Sequence, residues 1–197
     1  GTWSSPCLSK LELTVADSII NFKNFTQTTT SFTSHLENRL EHKDLEIIQE
    51  LFFATDKSSV IRTTIFNKSN KAIEVQPNWS GQLIDSSLFF TTEQDELYLH
   101  SNKSETVGHI QFYEKSRFTL DSLAYNSQLV SRSIPARSSI ELFTSHSFQE
   151  IPDSIEQRYL LHVTRDFKQQ LAKRKEEKEQ QLSQLSFNPA WDDSVTS

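Results

Sequence analysis

The chain has no Met, only three Gly and a single Cys among its 197 residues. Each shortage excludes something. A chain without Met that opens Gly1-Thr2-Trp3-Ser4-Ser5 is expected to be a piece of a longer polypeptide. Phosphate-cradling loops need clustered glycines, and Gly1, Gly81 and Gly108 stand far apart, so P-loop and dinucleotide sites are excluded. One cysteine, Cys7, allows no internal disulfide, and with no His near it in sequence it reads as an inert small side chain. No apolar run approaches the ~20 residues that span a bilayer, so no membrane partner is expected. Net charge is −6 with no dense Lys/Arg patch outside one mixed-charge segment, which argues against a nucleic-acid partner.

Aromatic residues are what the chain does have. Mean hydropathy is only −0.54, but fourteen Phe supply large apolar areas for a core. Period-two alternation marks Leu11–Val15 as a half-buried strand. The Thr/Ser-rich stretch 19–36, with Phe22, Phe25 and Phe32, reads as one or two more. In Leu45–Phe53, Ile47, Leu51 and Phe53 share one face, and Ile48 and Phe52 the other. Val60–Phe66 follows a polar turn, and Ala72–Val75 returns after Asn67–Lys71. Leu88–Thr92, Leu97–His100, Val107–Tyr113, Tyr125–Ser133 and Ser139–Thr144 continue the series. Short strands recurring about every 8–12 residues predict a mainly β fold, an antiparallel β-sandwich over residues 1–150.

The pattern changes at Pro152. Asp153 or Ser154 can cap a helix, and Ile155, Tyr159, Leu160, Val163, Phe167 and Leu171 follow at helical spacing. This predicts a C-terminal amphipathic α-helix, a linker over 151–187 whose apolar stripe needs a partner, and then a tail at 188–197. Lys173–Glu179 reads as a solvated face with ion pairs one turn apart.

The search for chemistry returns little. The six His, at 35, 42, 100, 109, 146 and 162, show no metal-ligand spacing, so no metal and no cofactor are predicted. Asp95 with Glu96, and Asp192 with Asp193, are adjacent in sequence; the first pair sits in a Thr-Glu-Gln-Asp-Glu turn and reads as a solvated loop, and neither predicts a facing acid–base pair. Four sequons, at Asn24, Asn67, Asn78 and Asn102, are what abundant Ser and Thr produce by chance. No catalytic residue is assigned. The one candidate carbohydrate-binding residue is Trp79, in Pro77-Asn78-Trp79-Ser80-Gly81, placed at a sheet edge, with Tyr98 or Tyr113 as possible companions in an aromatic row.

The stretch 51–83, LFFATDKSSVIRTTIFNKSNKAIEVQPNWSGQL, resembles the N-terminal β-sandwich (supersandwich) domain of bacterial glycoside hydrolase family 63, relatives of the processing mannosyl-oligosaccharide glucosidase. The shared pattern is a strand ending Phe-Ala-Thr, a Ser-rich turn, an Ile/Thr/Arg strand, an Asn/Ser/Lys turn, another strand and Trp-x-Gly-x-Leu. The chain departs from the family at its start, where a longer Gly-rich segment is reduced to Gly1–Ser9. The resemblance implies an (α/α)6 barrel in the same polypeptide, with an acid Asp and a base Glu inverting α-glucosidic bonds. It implies that this chain alone is inactive, scaffolds the barrel and walls a cleft for an oligosaccharide substrate. A periplasmic or secreted setting follows from the same resemblance. The rival expectations are a free-standing carbohydrate-binding module and a protein-interaction module whose helix self-associates.

Overall fold

A computed structural model describes residue 5 and residues 7–93, 96–149 and 154–184. Among these residues, fourteen strands form two sheets, every pairing antiparallel, and two α-helices follow them. The strands are β1 (Cys7–Val15), β2 (Ser18–Ile19), β3 (Thr26–Ser31), β4 (Leu36–Glu41), β5 (Leu45–Phe53), β6 (Ser58–Asn67) and β7 (Ile73–Gln82). Next come β8 (Leu88–Glu93), β9 (Glu96–Ser101), β10 (Ser104–Phe112), β11 (Ser116–Asp121), β12 (Ala124–Leu129), β13 (Arg132–Ile134) and β14 (Ser139–Gln149). The smaller sheet runs β11-β12-β7-β1-β2, with β13 also on β7, and the larger runs β3-β4-β5-β6-β14-β10-β9-β8. This is the expected β-sandwich with helices at its C-terminal end.

The core between the sheets follows from alternation. Leu11 and Leu13 of β1, Val75 and Trp79 of β7, Ile47 of β5, Ile65 of β6, Leu97 of β9, Ile110 of β10 and Leu142 of β14 all point inward. Fully burying such side chains is worth roughly 1.5–3 kcal/mol each, which offsets the polar average composition.

Strand β7 runs farther than the predicted Ala72–Val75. It passes through Pro77 to Gln82, with β1 on one side. On its other side β13 pairs residues 73–75 and β12 pairs residues 78–82. Pro77, which has no N–H to donate, falls in the gap between those two partners. Gly81 is required for a different reason: a Cβ there would lie 2.2 Å from the Tyr125 ring, whose hydroxyl donates to the Leu8 carbonyl at 2.9 Å.

The single predicted helix is two, α1 (Ser154–Arg165) and α2 (Phe167–Ser183), broken at Asp166. The predicted capping residue Asp153 and the acid pair Asp192–Asp193 lie outside the described residues. Leu160, Val163, Phe167 and Leu171 are buried, and they pack on Phe52, Val60 and Phe143 on the outer face of the larger sheet. The apolar stripe therefore has its partner in this chain's own sandwich. Ile155 and Tyr159, expected in that stripe, stay 69% and 40% exposed, because α1 turns Glu156, Leu160 and Val163 toward the sheet, where Glu156 accepts from Thr55 at 3.0 Å.

Candidate functional site

Trp79 is the first correction. It is 2% exposed, sits in the middle of β7 and packs on Phe112 at 5.6 Å between ring centroids. A side chain enclosed between two sheets offers no face to a sugar. Tyr98 and Tyr113 do not line up with it either. They alternate with Leu97 and with Phe112, which enter the core that holds Trp79, so they emerge on the opposite, outer face of the larger sheet.

That outer face carries the polar chemistry of the described residues. Tyr98 of β9 stacks on His109 of β10 at 4.9 Å, and Phe89 of β8 stacks on His100 of β9 at 5.3 Å. The Tyr98 hydroxyl donates to Glu96 at 2.7 Å, and His109 Nε2 faces the same carboxylate at 3.3 Å. Burial, reinforced by the bond to Glu96, pushes the Tyr98 hydroxyl up to about 12. Burial also holds His109 below its ordinary value, against the opposing pull of Glu96. Glu96 was expected in a solvated turn. It is instead a carboxylate held in place by a protonated phenol and facing an imidazole. Tyr113 bonds Ser145 at 3.1 Å, and burial pushes it up to about 12. Sequence reasoning missed the assembly because the register of β8, β9 and β10 creates it, and a local pattern does not report register.

Beside this surface the helices cover an ion network. Glu50 accepts from Arg62, whose Nη1 also reaches Glu141 at 3.3 Å, and Lys168 of α2 closes on Glu141 at 3.2 Å. The Phe167 ring lies over the Arg62 guanidinium at 4.8 Å. Next to it, His35, Glu37 and Glu50 place their donor atoms within 4.8 Å of one another. Their atom types suit a divalent metal, but Arg39 already pairs Glu37 and Arg62 already pairs Glu50. Burial and the nearby Lys175 hold His35 low. The cluster carries its own counter-ions, and it is an ion-pair network.

Several clefts open on the surface, a mainly apolar one of about 360 Å³ along Lys10–Glu12 and Ile19–Lys23 among them, and two others differ in character. One, of about 420 Å³, is mainly apolar and lies among Val15, Ile19, Ile20, Phe25, Leu45 and Ile73, with His42 and Asp44 at its wall. The other, of about 250 Å³, is mainly polar and lies where β9, β10 and β11 meet, among Glu96, Gln111, Tyr113, Glu114, Lys115 and Ser116.

Comparison with known proteins identifies the fold. No protein-family model matches the chain, and no curated protein matches it. Among solved structures, 86% of this chain superposes on "Putative kojibiose phosphorylase from human microbiome" with a TM-score of 0.59 at 7% identity. The chain spans only 27% of that protein's length. It also resembles the Slr1438 protein of Synechocystis sp. PCC 6803, with 64% of this chain and 66% of that one covered, a TM-score of 0.50 and 9% identity. At such identities the likeness is one of fold.

Proposed function

We propose that this chain is the non-catalytic sandwich domain of a carbohydrate-active enzyme acting on α-glucosidic bonds. Its role is to scaffold an (α/α)6 barrel carried elsewhere in the same polypeptide and to wall that barrel's sugar cleft. The observation that carries the reading is the superposition of 86% of the chain on about a quarter of a protein named for kojibiose phosphorylase. The stretch 51–83 adds the finer choice. Its family-63 pattern favours a hydrolase over a phosphorylase, and an exported setting accords with a chain holding one cysteine.

The two rivals lose their supports. A free-standing binding module rested on Trp79, which is enclosed in the core. The helix stripe, whose need of a partner was expected to point to the barrel, is docked on Phe52, Val60 and Phe143, so it supports neither the scaffold reading nor self-association of the helix.

The intact mass of the native polypeptide carrying these peptides tests the reading. A mass several-fold above 22.8 kDa is expected. A native mass near 22.8 kDa overturns it.

A further inference from the structure

We infer that the polar cleft where β9, β10 and β11 meet is a binding site for one neutral sugar ring, held through its hydroxyl groups. The site stands on the cleft alone and does not depend on which enzyme the chain serves.

Four observations converge on that ligand class. The first is size. At about 250 Å³ the cleft lies just below the ~300 Å³ at which pockets for drug-sized ligands begin, so it suits a single ring and not an oligosaccharide.

The second is charge. Glu114 is already paired with Arg132, and Lys115 in the same wall offsets Glu96. A balanced wall gives no net attraction to an anion or to a polycation, and it favours a neutral ligand that offers several hydrogen bonds.

The third is an open valence. Gln111 lines the cleft, yet its Oε1 is buried without a hydrogen-bond partner. Most buried polar atoms are satisfied, so an orphaned amide oxygen beside a cleft calls for a donor from a water or a ligand. The amide can turn to a ligand hydroxyl without losing a bond to the protein.

The fourth is rigidity. Glu96 is fixed by the Tyr98 hydroxyl at 2.7 Å, and Tyr113 by Ser145 at 3.1 Å. Acceptors already held in place lose little freedom on binding. A carboxylate fixed in position and an amide free to turn, opposite each other on neighbouring strands, can each take one of two adjacent hydroxyls of a pyranose. The hydroxyls donate to Glu96 and Gln111, and the Lys115 ammonium can donate to a ring or hydroxyl oxygen.

The test uses the chain as it stands. Methyl α-D-glucopyranoside, methyl α-D-mannopyranoside and methyl β-D-galactopyranoside are titrated by saturation-transfer NMR and calorimetry, with putrescine and inorganic phosphate as charged comparators. Saturable binding of at least one glycoside is expected in the millimolar range typical of one ring with a few hydrogen bonds. Gln111→Leu and Glu96→Gln should each weaken it by about 10-fold or more, the effect of losing one good hydrogen bond. Gln111→Leu should also melt no lower than the parent, because its amide oxygen has no partner to lose. Glu96→Gln could disturb Tyr98, so Gln111→Leu decides if the two disagree. No saturable glycoside binding by the folded chain overturns the inference. So does tighter binding of putrescine or phosphate, and so does unchanged affinity in folded Gln111→Leu. Any of these leaves the enzyme-domain reading in place, and a native mass near 22.8 kDa leaves the sugar site in place.

Discussion

Asn67 shows how much one side chain can hold. It is 0% exposed, and its Nδ2 donates to the carbonyls of Lys71, Ile134 and Pro135 at 2.7, 3.0 and 3.0 Å. Its Oδ1 accepts from the backbone N–H and the hydroxyl of Ser69 at 3.0 and 2.7 Å. The sequon at this position is therefore a turn lock, closed to glycosylation in the folded chain. Asn67→Ala strands several buried groups at once and should cost about 3 kcal/mol, seen as a lower urea midpoint at unchanged slope. His146 acts through pH. Its Nε2 is buried without a hydrogen-bond partner, and burial pushes the ring from 6.5 down to about 4. Between those values the unfolded chain binds a proton that the folded chain refuses. Stability should therefore fall as pH drops from 6.5 through about 4 and then level off, by about 3 kcal/mol for this group. Other groups titrate in the same window, including His35 and His109, which are lowered with the same sign. The check is therefore the difference between the parent and His146→Gln in melting temperature against pH. A difference that stays constant from pH 7 to about 4 would remove His146 from the acid response.

At the scale of elements, the helix pair is part of the fold and not a tether. Phe167 packs on Phe52 at 5.1 Å and on Phe143 at 5.7 Å, and it covers Arg62. Phe167→Ala should cost about 3–5 kcal/mol, because it leaves a cavity and opens the Glu50–Arg62 pair to water. Tyr159→Ala, on a side chain already 40% exposed, should cost under about 1 kcal/mol. Equal losses from the two substitutions in a denaturation series would mean that the helices are not docked as described. Strand β4 teaches a different lesson. Glu37, Arg39 and Glu41 alternate with Leu36, Asn38 and Leu40, so few apolar residues announce a strand in sequence. The charges are accommodated because they pair across the sheet surface, Arg39 with Glu46 and with Glu37.

At the scale of the molecule, two layers of side chains sandwich the larger sheet. One is the core it shares with the smaller sheet, and the other is the cluster beneath the helices. Under the reading proposed above the chemistry lies in the barrel. The isolated chain should therefore turn over no kojibiose, maltose or p-nitrophenyl α-glucoside, with or without phosphate. Turnover by the pure chain that a single substitution within it abolishes would sink the scaffold reading.

Alternation and turn chemistry made the sandwich legible from residues alone, because a strand that is buried on one face must repeat every second residue. The helical stripe was legible for the same reason at its own period. What these patterns cannot carry is which faces meet. Trp79 looked like an edge aromatic until β1 and β12 were seen to flank it. The stripe of Leu160, Val163, Phe167 and Leu171 found its partner on β5, β6 and β14, about a hundred residues upstream for the first two. Glu96, Tyr98, His109 and Gln111 became neighbours only through strand register. The sequence by itself determined the mainly β class, many of the strands and the part of the helical stripe formed by Leu160, Val163, Phe167 and Leu171. Tertiary structure alone decided burial, partnership and the cleft, since those depend on contacts between segments distant in the chain, which no local period encodes.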